Sequence, residues 1–224
     1  MTPLWALGIT AALVIVLLVL ERRPQMPRAL YGSVKILASS VFVAFGVGAV
    51  QRDAQVDAAD AALLAALALS FVGDALLVPR GSKGLFLAGL SSFLLGHGAY
   101  VGAFVARGVD NTALIVAGGV ALAVGLGVVR WLHPHLRGPM AIAVPIYVLV
   151  IGAMVSAAVA AVVAAQLEGR AAPRALLVLG TVCFWVSDLA VARERFVASG
   201  YINRFVGIPL YFLAQLAIVA GFVP

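Results

Sequence analysis

Residues 61–78 read AALLAALALSFVGDALLV, an apolar run broken only by Ser70 and Asp74. A helix crossing the hydrocarbon of a bilayer needs about 20 mostly apolar residues, so the run predicts a membrane span that carries a carboxylate near one end. An ionisable side chain inside a span is costly, normally faces the protein interior, has a partner and marks a functional site by default. The fold follows from how often this pattern recurs, and the function from what else can meet Asp74.

The pattern recurs throughout. The 224 residues are 64% hydrophobic and 11% charged, with a mean hydropathy of +1.13, a composition that excludes an ordinary soluble domain. Eight segments are long and apolar enough to span, roughly 3–20, 30–50, 59–78, 84–105, 112–129, 139–164, 174–192 and 204–223. Short connections such as PRGSKG (79–84) and RWLHPHLRGP (130–139) hold the turn-forming residues. The expected fold is all-α: a polytopic membrane protein forming a single bundle of eight transmembrane helices, one domain over residues 1–224. No basic region precedes the first apolar run and no small-residue cleavage pattern follows it, so it reads as a retained helix.

The pI of about 10.1 does not imply nucleic acid as a partner, because the cations sit in short segments between apolar runs without a continuous basic face. They act as topology signals instead. The odd connections carry Arg22, Arg23, Arg28, Arg80, Lys83, Arg130, Arg137, Arg193, Arg195 and Arg204; the even ones carry only Arg52, Arg107, Arg170 and Arg174. The positive-inside rule then puts the odd connections in the cytoplasm and both termini outside. Cys183, the single cysteine, lies within an apolar run and reads as a small buried hydrophobe.

Helical rise locates the polar residues in depth. Asp74 and Asp188 each lie about 6 Å from the cytoplasmic ends of their helices, Lys35 about 8 Å, Tyr211 about 10 Å, Ser92 about 12 Å and Gln215 about 16 Å. His97, about 20 Å in, and Tyr100 are deeper, as a cavity floor or as packing. A faint internal echo accompanies this convergence. VGDALL (72–77) and VSDLAV (186–191) are 114 positions apart, and the same offset carries His97 onto Tyr211, the mark of a parallel repeat with a shared site at its interface. The plainer reading is that the aspartates bridge helices and that Lys35 snorkels to the surface. Gly98 and Gly102 form a GxxxG, expected to mark close helix packing. GSKG (81–84) is too short for a phosphate loop, and His133 and His135 lack the companions of a zinc site.

Four blocks taken together, SFVGDALLV (70–78), GLFLAGLSSFLLGHGAYVGAF (84–104), VSDLAVARERF (186–196) and IPLYFLAQLAI (208–218), resemble in order and spacing the signature of the YhhN-like lysoplasmalogenase family of eight-span membrane proteins. The resemblance implies hydrolysis of the vinyl ether bond of lysoplasmenylethanolamine or lysoplasmenylcholine to a fatty aldehyde and a glycerophospho-alcohol, with Asp74 and Asp188 as the catalytic pair and no metal or organic cofactor. The chemistry suits two carboxyls. A vinyl ether is protonated at its β-carbon, water adds to the oxocarbenium ion and the hemiacetal collapses, a division of labour like that of glycosidases. In that scheme Lys35 biases which aspartate stays ionised, and Tyr211 or His97 positions water or the ether oxygen. Ser92 and Gln215 support the site, and Lys83, Arg193, Arg195 and Arg204 are candidates to hold the phosphate headgroup of the lysophospholipid. Which aspartate is the acid stays open. The rival class is a proton-coupled transporter or lipid scramblase using the same aspartates; a third is a noncatalytic membrane partner. The short, Ala-rich chain suggests a bacterial inner membrane, with the site facing the cytoplasmic half.

Overall fold

The computed structural model describes residues 4–23, 25, 27–52, 55–79, 81–167 and 175–223. Eight helices cross it: α1 (Leu4–Glu21), α2 (Arg28–Val50), α3 (Ala58–Leu77), α4 (Lys83–Ala106), α5 (Asn111–Leu132), α6 (Met140–Leu167), α7 (Ala175–Ala192) and α8 (Tyr201–Phe222). Each is long and apolar enough to span a bilayer, and the chain is an integral membrane protein. Local chemistry starts several of them. Ser82 caps α4 through the Leu85 amide, and Asp110 caps α5 through that of Ala113. Asp57 and Asp60 form a reciprocal capping box at the start of α3.

Two boundaries differ from the sequence reading for identifiable reasons. The segment after α7 continues as a π-helical turn, Arg193–Val197, closed by the Ala198 amide on the Arg193 carbonyl at 2.8 Å. Helix α8 then begins at Tyr201 rather than at 204, because Glu194 accepts hydrogen bonds from Ser199, the Gly200 amide and Asn203 and so organises the connection. Helix α5 runs on to Leu132 before a 3₁₀ turn, His133–His135. Arg80, Arg170 and Arg174, three of the topology signals, lie outside the described residues.

Helices α3 and α4 form one tightly packed hairpin and α7 and α8 another, with α6 against α4 and α2 against both α3 and α8. Small residues set the approach. A Cβ built on Gly180 of α7 would come within 2.9 Å of the Ala214 carbonyl on α8, so the two backbones touch there. By contrast Gly98 and Gly102 have nothing within 4 Å; the expected GxxxG contact does not form among the described residues. Helix α5 packs chiefly on α6, and its outer face, with Ile115, Val116, Val120 and Leu126 all exposed, presents hydrocarbon to lipid.

At the end of the bundle holding the even connections, Arg107 at the close of α4 pairs with Asp57, at 2.7 Å, and with Asp60, and lies over the Phe222 ring at the close of α8. The Asp60 amide, and beyond it the Arg107 charge, hold the Asp57 carboxyl below its usual range. The stability this cap contributes is therefore complete above the ordinary carboxylate range and is lost as pH falls through the lower folded value. This knot ties three helix ends together.

The packing makes a contrast between two glycines. Gly180→Ala forces a methyl into backbone and lowers stability by about 1–3 kcal/mol, read as a lower melting temperature in detergent. Gly98→Ala on an open face leaves the melting temperature unchanged or slightly raised.

Candidate active site

A cavity of about 570 Å³ opens at the opposite end, where the odd connections lie, and residues of all eight helices line it. Both Asp74 and Asp188 are on its wall. The two carboxyls meet very different company.

Asp74 is 1% exposed and surrounded by donors. Its Oδ1 lies 2.9 Å from Lys35 Nζ on α2. Its Oδ2 accepts hydrogen bonds from Ser39 Oγ, one helical turn beyond Lys35, and from the Tyr211 hydroxyl of α8, each at 2.6 Å. Behind Tyr211 the network continues: Gln215 Nε2 donates to the Tyr211 oxygen at 3.4 Å, and Tyr100 donates to Gln215 Oε1 at 2.5 Å. Three donors, one of them an ammonium, are what a carboxylate needs in order to remain charged away from water.

Among the described residues Asp188 has one hydrogen-bond donor, the Tyr147 hydroxyl of α6 at 2.8 Å on Oδ2. His97 Nε2 lies 3.7 Å from the same oxygen, too far for a hydrogen bond. The imidazole is 1% exposed, packed edge-on between Tyr147 and Phe184, and neither ring nitrogen has a hydrogen-bond partner among the described residues. No Lys or Arg among the described residues forms an ion pair with Asp188, whose side chain is 19% exposed towards the cavity.

The two surroundings are related. Asp74 takes its partners from α2 and α8, and Asp188 takes its neighbours from α6 and α4. A shift of 114 positions turns Asp74 into Asp188 and His97 of α4 into Tyr211 of α8. Each carboxyl thus meets α2 or α6 of its own half and one residue of the other half, Tyr211 beside Asp74 and His97 beside Asp188.

The remaining sequence candidates divide by position. Lys35, Tyr211, Arg195 and Arg204 line the cavity with the two aspartates; Ser92, His97, Gln215, Lys83 and Arg193 do not. Ser92 faces α3, donating to the Leu69 carbonyl at 2.7 Å. Gln215 stands behind Tyr211, and Tyr100 is packed in the core rather than on a cavity floor. Lys83 is exposed outside the cavity, and Arg193 donates to Asn203. Two polar contacts escaped the sequence reading. Ser39 is betrayed only by its place four residues after Lys35, and Tyr147 only by being the one hydroxyl in the run AIAVPIYVLVIGA (141–153).

Fold and site together define a polytopic helical membrane protein with a one-ended, carboxylate-lined cavity. The chain belongs to the YhhN family, whose model matches residues 34–222. It is 31% identical over 201 residues to a protein of Mycobacterium bovis and to one of Mycobacterium tuberculosis, each named lysoplasmalogenase, covering 87% of this chain and 69% of each relative. It is also 31% identical over 157 residues to the bovine (Bos taurus) lysoplasmalogenase TMEM86A, covering 68% of this chain and 61% of that protein. No solved structure matches the chain.

The Lys35 and Asp74 charges are tested together. Lys35→Met strands a buried carboxylate and costs about 3–5 kcal/mol, whereas adding Asp74→Leu restores much of the loss. Thermal unfolding of the two single variants and the double variant in detergent measures the coupling.

Proposed function

We propose that this protein is a membrane hydrolase that cleaves the vinyl ether bond of lysoplasmalogens, releasing a fatty aldehyde and a glycerophospho-alcohol. The observation that carries the reading is the pair of unlike carboxyls on one cavity wall, Asp74 held by Lys35, Ser39 and Tyr211, and Asp188 held, among the described residues, by Tyr147. The names of the mycobacterial and bovine relatives support the same substrate.

Asp188 is assigned the acid. With a single neutral donor and no Lys or Arg paired to it among the described residues, its carboxyl is the one suited to carry a proton, and it faces the cavity where the alkenyl group lies. It protonates the β-carbon, and the positive charge spreads over the α-carbon and the ether oxygen. Asp74, kept anionic by Lys35, orients a water against the α-carbon and takes its proton as the new C–O bond forms. The hemiacetal then collapses: its hydroxyl proton returns to Asp188, the proton on Asp74 goes to the departing glycerol oxygen, and both carboxyls are reset. Tyr211 and Tyr147 fix the two carboxyls in place. The cycle consumes one water and draws on these side chains alone.

A lipid substrate also accounts for the absence of polar structure outside the bundle among the described residues. The cavity carries apolar walls from α5 and α6 along which a hydrocarbon chain can remain. We infer further that the cavity faces the cytoplasmic half of a bacterial inner membrane with both termini outside, from the excess of cations in the odd connections. Transport using the same aspartates would move substrate without forming a new product; the cavity opens at one end, and at the other Arg107 pairs with Asp57 and Asp60.

Aldehyde release from a synthetic lysoplasmalogen by the purified protein tests the scheme. Asp74→Asn and Asp188→Asn are each expected to lose about 10²–10⁴-fold in rate while melting as folded proteins. Full activity in either variant contradicts the assignment.

A further inference from the structure

The cations around the cavity mouth are not equivalent. Arg204 lines the cavity but is clamped between Glu21 of α1, at 2.9 Å, and Glu194, at 2.6 Å. Lys35 is committed to Asp74. Arg193 and Lys83 lie off the cavity. Arg195 alone among these lines the cavity without a carboxylate in ion-pair range among the described residues. Its guanidinium lies 4.5 Å from the centre of the Phe86 ring at the start of α4, and Phe86 in turn meets Phe196 edge-on. That cation–π contact holds the group over the ring, and its N–H donors have no hydrogen-bond partner among the described residues.

The backbone beneath Arg195 is equally fixed. It sits in the π-helical turn that follows α7, and its neighbour Glu194 gathers Ser199, Gly200, Asn203 and Arg204. Arg195 follows Asp188 of α7 by seven residues, the last three of them in the π-helical turn, and so stands about 10 Å nearer the mouth. A carboxyl at depth and an uncommitted guanidinium at the rim therefore line the same cavity.

We propose that Arg195 anchors the phosphate of the lysophospholipid, and that its spacing from Asp188 selects which bond of the lipid reaches the acid. The proposal rests on the hydrolase reading above. A planar guanidinium matches two oxygens of a phosphodiester. In a lysoplasmalogen the phosphate and the alkenyl ether occupy opposite ends of a three-carbon glycerol unit, so a phosphate held at Arg195 brings the ether down towards Asp188 and Asp74. The hydrocarbon chain continues along Val144, Val148 and Ile151 of α6. The recognised chemistry is a phosphodiester anion at fixed distance from an ether, and a lipid without phosphate is bound poorly and misregistered.

The test uses the full-length protein in nanodiscs and two inert saturated ethers, a 1-O-alkyl lysophosphatidylethanolamine and the matching 1-O-alkylglycerol, with inorganic phosphate as competitor. Wild type is expected to bind the phosphate-bearing ether at least about tenfold more tightly than the alkylglycerol. Arg195→Gln is expected to weaken that ligand by about 10- to 100-fold and leave alkylglycerol binding unchanged, which also serves as the check on folding. Arg195→Lys, keeping the charge and losing the planar fork, falls between. In turnover, Arg195→Gln raises KM for lysoplasmalogen more than it lowers kcat and spares cleavage of a 1-O-alkenylglycerol. An undiminished preference for the phosphate-bearing ether in Arg195→Gln, or no preference in wild type, overturns the proposal. Complete displacement by millimolar inorganic phosphate overturns it in favour of a free-anion site. If wild type binds as expected but releases no aldehyde, the hydrolase reading fails while the phosphate anchor stands.

Discussion

A carboxylate inside a bundle that faces lipid is tolerable only if the protein supplies what water would have supplied. For Asp74 the supply is Lys35, Ser39 and Tyr211, and it dictates much of the surrounding structure. Lys35 and Ser39 bind α2 to α3, and Tyr211 binds α8 to α3. Gln215 and Tyr100 then extend the same hydrogen-bonded line into α4. Four helices are thus positioned by one charge. A buried ion pair is weak evidence for stability, since apolar replacements are often as stable or more so. We propose that its place beside the cavity serves the chemistry of the site.

The same reasoning separates the second carboxyl from the first. Asp188 lies 114 positions after Asp74, the same offset that carries His97 onto Tyr211, and its donor is Tyr147 of α6 rather than a lysine. We propose that the two carboxyls, set among unlike neighbours, take different tasks. The two ends of the bundle differ as well: at one Arg107 joins helix ends through two aspartates and an aromatic ring, while the other keeps a cavity bounded by braced turns. That asymmetry suits a lipid that enters and leaves from one side.

The eight helices were legible in the sequence because membrane spans announce themselves by hydropathy, and Asp74, Asp188, Lys35 and Tyr211 because a polar residue in such a run stands out. Depth arithmetic reaches no further than height along a helix. It set Ser92 level with the site but could not tell that Ser92 turns to the Leu69 carbonyl, nor that Gln215 stands behind Tyr211. Tyr147 escaped because a tyrosine near a span end has an ordinary interfacial explanation, and Ser39 because serine is at home on helix interfaces. The π-helical turn at 193–197 was hidden for a different reason: it is accompanied by hydrogen bonds converging on Glu194 from residues up to ten positions later, which no local pattern encodes. Sorting the four rim cations likewise required knowing which carboxylates they already meet.

The central claim is that the two aspartates differ in charge before substrate arrives, and infrared difference spectroscopy of the resting protein at neutral pH tests it most directly. The account predicts a carboxylic acid carbonyl band in wild type that disappears in Asp188→Asn and persists in Asp74→Asn. A band that disappears with Asp74 instead, or no such band in wild type, would contradict the division of labour on which the mechanism rests.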